Sequence, residues 1–190
     1  MYNFNSKEVN AQSLIHLINL TQTKDIVGVE LGVQYGLSLC TIAQKVENLK
    51  LIYGIDPYLP YNDYLKYAYD GHPAVSHSEE QADLYRITTQ HNIKFCGQSD
   101  KIKIIEKTAK DAVDQFEDDS LDFIFIDSHN TPQDLYEEMT RWYPKIKVGG
   151  IFAGHDVHYE TIKNVVDTFR NKNNILNKMS MFDSVFVWIK

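Results

Sequence analysis

The sequence predicts an α/β fold: a doubly wound, mostly parallel sheet of seven strands with an antiparallel last strand. Three observations predict it. Short apolar runs rich in β-branched residues alternate with stretches of helical periodicity along the whole chain. Runs such as "DIVGVEL" and "LDFIFID" are almost continuously apolar, as in strands buried on both faces. The ending "NILNKMSMFDSVFVWIK" reads as two strands with no helix between them, so these pair antiparallel.

In chain order, residues 6–20 carry Val9, Leu14, Ile15, Leu17 and Ile18 at helical spacing, with Ser6 as a candidate cap. "DIVGVEL" is the first strand, and Leu37 to Lys45 returns to helical periodicity. "LKLIYGIDP" is the second strand, stopped by Pro57. Residues 58–98 differ in character, with Tyr58, Tyr61, Tyr64, Tyr67, Tyr69 and Tyr85. The earlier part is irregular, and Ser78 caps a helix over "EEQADLYRITTQ". "KIKIIEK" is the third strand, followed by a short helix in "AKDAVDQF". "LDFIFID" is the fourth and strongest strand. Its helix has Thr131 as N-cap, Pro132 at the first helical position and Asp134 in a capping-box pattern. "GGIFAGHDV" is the fifth strand, entered through Gly149 and Gly150. "YETIKNVVDTFRNK" is a helix, and a tight turn near Asp183 and Ser184 joins the closing strands.

The 190 residues suit a single domain, 1–190, with the tyrosine-rich stretch at about 58–98 as an insertion or lid. Its 19 basic against 26 acidic residues give a formal charge of −7, a poor match to a phosphate backbone. Nucleic acid is therefore not the expected partner. Cys40 and Cys96 form neither a disulfide framework nor a CxxC pair. The first residues lack the basic and then apolar segments of a signal peptide. No apolar run approaches the roughly 18 residues of a membrane helix. A reduced, cytoplasmic setting away from membranes is the expectation.

In open parallel sheets, ligands sit beyond the carboxyl ends of the strands. The first end is "ELGVQYG". A dinucleotide turn needs G-x-G-x-x-G so that a pyrophosphate can approach the backbone, but Gln34 stands where the middle glycine belongs. Gly32 and Gly36 still allow a tight turn, which suits a nucleoside ligand without pyrophosphate or serves chain geometry alone. Asp56 ends the second strand, where an acid can accept both ribose hydroxyls. The fourth and fifth ends carry Asp127, Ser128, His129 and Asn130, then His155, Asp156 and His158. Neighbouring strands would bring these carboxylates and imidazoles together, where they can hold a divalent cation or supply a general base.

On these residues the chain resembles class I S-adenosylmethionine-dependent methyltransferases. More narrowly it is similar to the metal-dependent O-methyltransferases of the catechol and caffeoyl-CoA type and to the macrocin O-methyltransferase group. The pieces that carry the likeness are "VELGVQYGLS", "GIDPY", "LDFIFIDSHNTPQDLYEEMTRWYPKIKVGG" and "GHDV". The resemblance implies a Rossmann-like sheet. It implies that Glu30, Gly32 and Gly36 border the methionine part of S-adenosylmethionine, with Ser38 on its carboxylate. Asp56 would take the ribose, and Thr108 and Ala109 the adenine. Asp127 would border cofactor and metal, with His155 and Asp156 completing the metal ligands. Mg²⁺ or another divalent cation is the candidate ion. His155 stands where the catechol-type enzymes place an aspartate, which leaves the ion's identity open. Asn130 stands near the place of their catalytic lysine, so His129 and His155 become the candidate bases.

The resemblance thus implies O-methylation of a small hydroxylated acceptor. The fourth strand has "IDSHN" rather than the Asp/Asn-Pro-Pro-aromatic motif of amino-methylating relatives. Neither cysteine stands in a Pro-Cys pair of the cytosine C5 type. The tyrosines of 58–98 read as an acceptor wall or as ordinary packing. A homodimer is the candidate assembly. Two rival readings share the fold: a metal-dependent enzyme of another reaction, and a nucleoside-binding module without catalysis.

Overall fold

The structure, a computed structural model, describes residues 11–21, 23–60, 78–128, 131–182 and 184–190. The elements in order are α1 (Gln12–Leu20), β1 (Ile26–Leu31), α2 (Leu37–Lys45), β2 (Leu49–Ile55) and α3 (Glu79–Cys96). β3 (Ile102–Ile105), α4 (Ala109–Ala112), β4 (Leu121–Ile126) and α5 (Pro132–Trp142) follow. β5 (Ile146–Gly154), α6 (Glu160–Lys172), β6 (Ser180–Phe182) and β7 (Val185–Ile189) close the chain.

The seven strands form one sheet in the order β3-β2-β1-β4-β5-β7-β6. β7 runs antiparallel to both neighbours, β5 and β6, while the other strand pairs are parallel. This is the Rossmann-like α/β arrangement that the alternation of strands and helices predicts. The order changes direction at β1, because β2 lies on one side of it and β4 on the other. Such a switch point opens a crevice at the carboxyl ends of the strands.

The core divides into two layers by the alternation of side chains along each strand. Phe123, Phe125 and Ile52 face a layer with Leu14, Leu39 and Ile42 from α1 and α2. Ile124, Ile126 and Val29 face the other, with Leu135, Met139, Trp142, Val166 and Phe169 from α5 and α6. At roughly 1.5–3 kcal/mol for each large apolar side chain, these two layers are the main force holding the sheet.

Local signals act as the sequence suggests at several ends. Ser78 Oγ accepts the Gln81 N–H at 3.2 Å, capping α3. Thr131 Oγ accepts the Asp134 N–H at 3.0 Å, capping α5, with Pro132 following. Three features differ from expectation. The first helix begins at Gln12, and Ser6 lies outside the described residues. β5 starts at Ile146, ahead of the expected glycine entry. Gly149, at φ 85°, lies inside the strand, and the β4–β5 register shifts between Leu121 and Phe123. In the tyrosine-rich stretch, α3 is a crossover helix whose Ala82, Tyr85, Thr89 and Cys96 are buried. Residues 61–77, with Tyr61, Tyr64, Tyr67 and Tyr69, lie outside the described residues.

Candidate active site at the strand ends

Strand register gathers the site. Ile105, Ile55, Leu31, Ile126 and Gly154 pair side by side across five parallel strands. The residues that follow them, Asp56, Gly32, Asp127 and His155 among them, therefore share one rim. Parallel neighbours lie about 4.8 Å apart.

The β1 turn is shaped by two glycines and one acid. Gly32 has φ 83°, and a Cβ there would lie 2.3 Å from the Asp127 carbonyl oxygen. Only glycine lets β1 pass so close to the end of β4. Gly36, at φ 72°, is the N-cap of α2. Between them Gln34 holds the left-handed region at φ 48°, unusual for a residue with a side chain. Asp56 supports this shape: its Oδ2 accepts the N–H groups of Val33 at 2.9 Å and Gln34 at 3.0 Å. Its Oδ1 accepts Tyr58 N–H at 2.8 Å. α3 braces the turn from the other side. Thr89 Oγ1 donates to the Gln34 carbonyl at 2.5 Å, and Asn92 Nδ2 donates to the Tyr35 carbonyl at 2.8 Å.

Glu30 is fully buried at the end of β1. Ser38 Oγ donates to its Oε1, while its Oε2 is buried without a hydrogen-bond partner. Burial pushes its carboxyl well above the ordinary range. The Ser38 hydroxyl works against that rise, and the charges of Asp127 and Asp56 add to it.

On the other side of β1 lie the β4 and β5 ends. His155 Nδ1 is 3.3 Å from Asp127 Oδ1 and 3.0 Å from Asp156 Oδ1. Its Nε2 is 2.6 Å from Ser184 Oγ. Burial disfavours the charged ring, but the hydrogen bonds and charges of Asp127 and Asp156 outweigh it and push His155 up to about 10. Asp156 itself sits at φ 64°, a strained backbone of the kind that collects at functional sites. The His155 and His158 ring centroids are 6.4 Å apart, and the exposed His158 packs on Tyr159 at 4.0 Å.

Asp127, His155 and Asp156 can each offer one ligand atom, all within 4.8 Å of one another. Two carboxylate oxygens and one imidazole nitrogen are a donor set that divalent cations accept. Their present spacing of 3.0 and 3.3 Å is close to the ~3 Å between neighbouring ligands on an ion with bonds of about 2.1 Å.

The structure thus brings together Glu30, Gly32, Gly36, Ser38 and Asp56 on one side, and Asp127, His155 and Asp156 on the other. Thr108 caps α4, its hydroxyl bonded to Asp111 at 2.7 Å, and Ala109 is buried behind it. His129 and Asn130 lie outside the described residues.

Sequence reasoning missed Glu138 and Thr89. Ser128 Oγ donates to Glu138 Oε1 at 2.8 Å, and Glu138 Oε2 is buried without a partner. Burial pushes Glu138 up to about 8, with the Ser128 bond opposing and Asp134 adding to the rise. The signal was an acid on the same face of α5 as the buried Leu135, Met139 and Trp142. Thr89 carried a similar signal, one helical turn after the buried Tyr85.

Comparison with known proteins agrees with this geometry. A family model described as a methyltransferase domain matches residues 29–157, about two thirds of the chain. The chain belongs to that methyltransferase domain family. "Probable caffeoyl-CoA O-methyltransferase 1" of Dictyostelium discoideum is 36% identical over 72 residues. That match spans 34% of this chain and 30% of the relative's own length. Among solved structures, the O-methyltransferase NovP has a TM-score of 0.67 at 18% identity, over 93% of this chain and 79% of that one. The O-methyltransferase from Bacillus cereus, solved in complex with SAH, has a TM-score of 0.65 at 14% identity, over 100% and 84%. At such identities these structures speak for the fold. Among the described residues, no helix is long and apolar enough to cross a membrane.

Proposed function

We propose that the protein transfers a methyl group from S-adenosylmethionine to a hydroxyl oxygen of a small acceptor, with a divalent cation at Asp127, His155 and Asp156. The observation that carries the cofactor reading is Glu30, a buried carboxyl with one oxygen unpartnered beside a glycine turn that lacks a pyrophosphate seat. Such a group suits the ammonium of an amino-acid-bearing nucleoside. Ser38 donates its one hydroxyl proton to Glu30, and that proton turns to the methionine carboxylate once the ammonium takes its place on Glu30. Asp56 keeps the turn in shape through three amides and retains lone pairs for the ribose hydroxyls. Thr108 and Ala109 line the adenine side of the rim.

S-adenosylmethionine supplies an electrophilic methyl group on a sulfonium. The chain's task is then alignment of the acceptor oxygen and removal of its proton. A cation at the Asp/His/Asp set would stabilise the developing alkoxide. The acceptor proton passes to a base at this rim, for which His129 and His155 are the candidates. With a cation at this set, His155 Nδ1 is taken up as a ligand and is not free to receive a proton. That favours His129 as the acceptor of the proton.

Calorimetry with S-adenosylmethionine and with NAD, each with and without Mg²⁺, tests this reading. One-to-one binding of the sulfonium cofactor, and release of S-adenosylhomocysteine with hydroxylated acceptors, is expected. No binding, or tighter binding of NAD, would remove it. Binding without turnover across sugar, phenol and aliphatic alcohol panels would favour a non-catalytic module.

A further inference from the structure

The turn between β6 and β7 delivers Ser184 to the strand-end cluster. Its Oγ lies 2.6 Å from His155 Nε2. Its carbonyl accepts the Val157 N–H at 3.0 Å. Both bonds reach the segment that carries His155 and Asp156, so the turn is tied to the site twice. Ser184 comes from beyond residue 157, where the match to the family model ends. Its contribution therefore belongs to this chain's closing hairpin rather than to the matched region.

An imidazole has two nitrogens, and the bond made by one decides what the other offers. The two carboxylates lie on the Nδ1 side of His155, at 3.3 and 3.0 Å. Ser184 Oγ lies on the Nε2 side, 2.6 Å away, where it can accept a proton from that nitrogen. That leaves Nδ1 as the atom that shares space with Asp127 and Asp156.

We propose that Ser184 fixes His155 with its proton on Nε2, so that Nδ1 joins Asp127 and Asp156 in holding a divalent transition-metal ion in preference to Mg²⁺. This rests on the metal-assisted reading above and adds the class of ion and the residue that selects it. Mg²⁺ seeks hard oxygen ligands in near-octahedral geometry and keeps its waters. An imidazole nitrogen favours ions of the Mn²⁺ to Zn²⁺ series, increasingly so toward the later members. When the ion binds, it takes the place of the Nδ1 proton, which leaves to solvent. Ser184 touches the ring and not the ion, so it is a positioning residue. Outer partners of this kind are worth 10–100-fold in metal affinity.

The test uses the metal-stripped full chain, titrated calorimetrically with Co²⁺, Zn²⁺ and Mg²⁺ in turn. The absorption bands of bound Co²⁺ report the ligand field, and Asp127→Asn locates the site. Wild type is expected to bind one Co²⁺ at least tenfold more tightly than Mg²⁺. Ser184→Ala is expected to weaken Co²⁺ binding by about 10–100-fold and to shift its absorption bands. Ser184→Thr, which keeps the hydroxyl, restores both. His155→Asp, an all-carboxylate set, turns the preference toward Mg²⁺. Unchanged S-adenosylhomocysteine affinity and thermal midpoint show that the Ser184 variants are folded. Co²⁺ binding that is equal in wild type and Ser184→Ala overturns this inference alone, as does Mg²⁺ binding equal to that of Co²⁺. Absence of any ion at Asp127 overturns it together with the metal reading.

Discussion

Asp56 Oδ2 accepts the backbone N–H of Val33 at 2.9 Å, so the end of β2 holds the turn after β1 in shape. The Gln34 and Tyr58 amides complete its set of partners. Hydrogen bonds to a charged acceptor contribute about 1.5–3 kcal/mol, and unmade ones leave half-buried donors stranded. Asp56→Ala is expected to cost on the order of 3 kcal/mol, lowering the thermal midpoint by roughly 6–12 °C for a chain of this size. S-adenosylmethionine affinity falls at least tenfold with it. Asp56→Asn keeps one acceptor oxygen and should fall between. A scanning calorimetry trace for Asp56→Ala that matches wild type would show that the turn stands without its acid.

Glu30 makes stability depend on pH. Its carboxyl is pushed well above the ordinary value, chiefly by burial. The folded protein therefore keeps a proton that the unfolded chain releases near pH 4.3. Stability then declines as pH rises from that value through the folded pKa. Glu30→Gln has no proton to lose. Its thermal midpoint should match wild type at pH 5 and exceed it at pH 9. Its S-adenosylmethionine affinity should fall at least tenfold, since an amide cannot release a proton to become the carboxylate that pairs with the ammonium. Parallel midpoint-against-pH curves for the two proteins would dismiss the buried neutral carboxyl.

Glu138 adds a second, separable window. It is pushed up to about 8, mainly by burial. Its contribution falls between pH ~4.3 and that value, by at most about 1.4 kcal/mol per pH unit. Glu138→Gln should flatten this part of the profile. Ser128→Ala removes the bond that holds the charged form, and should move the upper end of the window to higher pH. Urea unfolding of all three proteins from pH 5 to 9 reads these slopes directly. No change in slope in either variant would exclude Glu138 as the titrating group.

Much of this architecture was legible because the decisive patterns are local. β1 and β4 read as buried strands because their apolar runs are continuous, and both are covered on two faces. Asp56, Asp127 and His155 were legible as strand-end residues for the same reason: each follows the last apolar residue of its run. What depends on distant partners was not. The role of Asp56 as a brace for the β1 turn is a contact across 23 residues, where the sequence suggested the ribose alone. Ser184 looked like ordinary turn chemistry, because His155 lies 29 residues away in sequence. The start of β5 was hidden because Lys147 is charged and Gly149 and Gly150 interrupt the apolar run, so the strand was read only from the glycines onward.

Gly32 offers a test of how tightly the two halves of the rim are pressed together. It shares a left-handed backbone with Gly97, at φ 83° and 72° respectively. The two differ in surroundings. A Cβ at Gly97 meets nothing within 4 Å, whereas one at Gly32 would lie 2.3 Å from the Asp127 carbonyl oxygen and 2.7 Å from Ser128 Cα. Those atoms are backbone and cannot rotate away. Gly97→Ala should therefore cost only the left-handed strain, about 1–2 kcal/mol, or roughly 2–8 °C in midpoint. Gly32→Ala carries the same strain and must also push the β4 end outward, for a total above about 4 kcal/mol. That displacement moves Asp127, so any folded Gly32→Ala protein should have lost both cofactor and metal affinity. Equal midpoints for the two variants would show that β1 and β4 are not held this close at the rim. A larger loss in Gly32→Ala ties the cofactor turn and the Asp127 cluster into one mechanical unit.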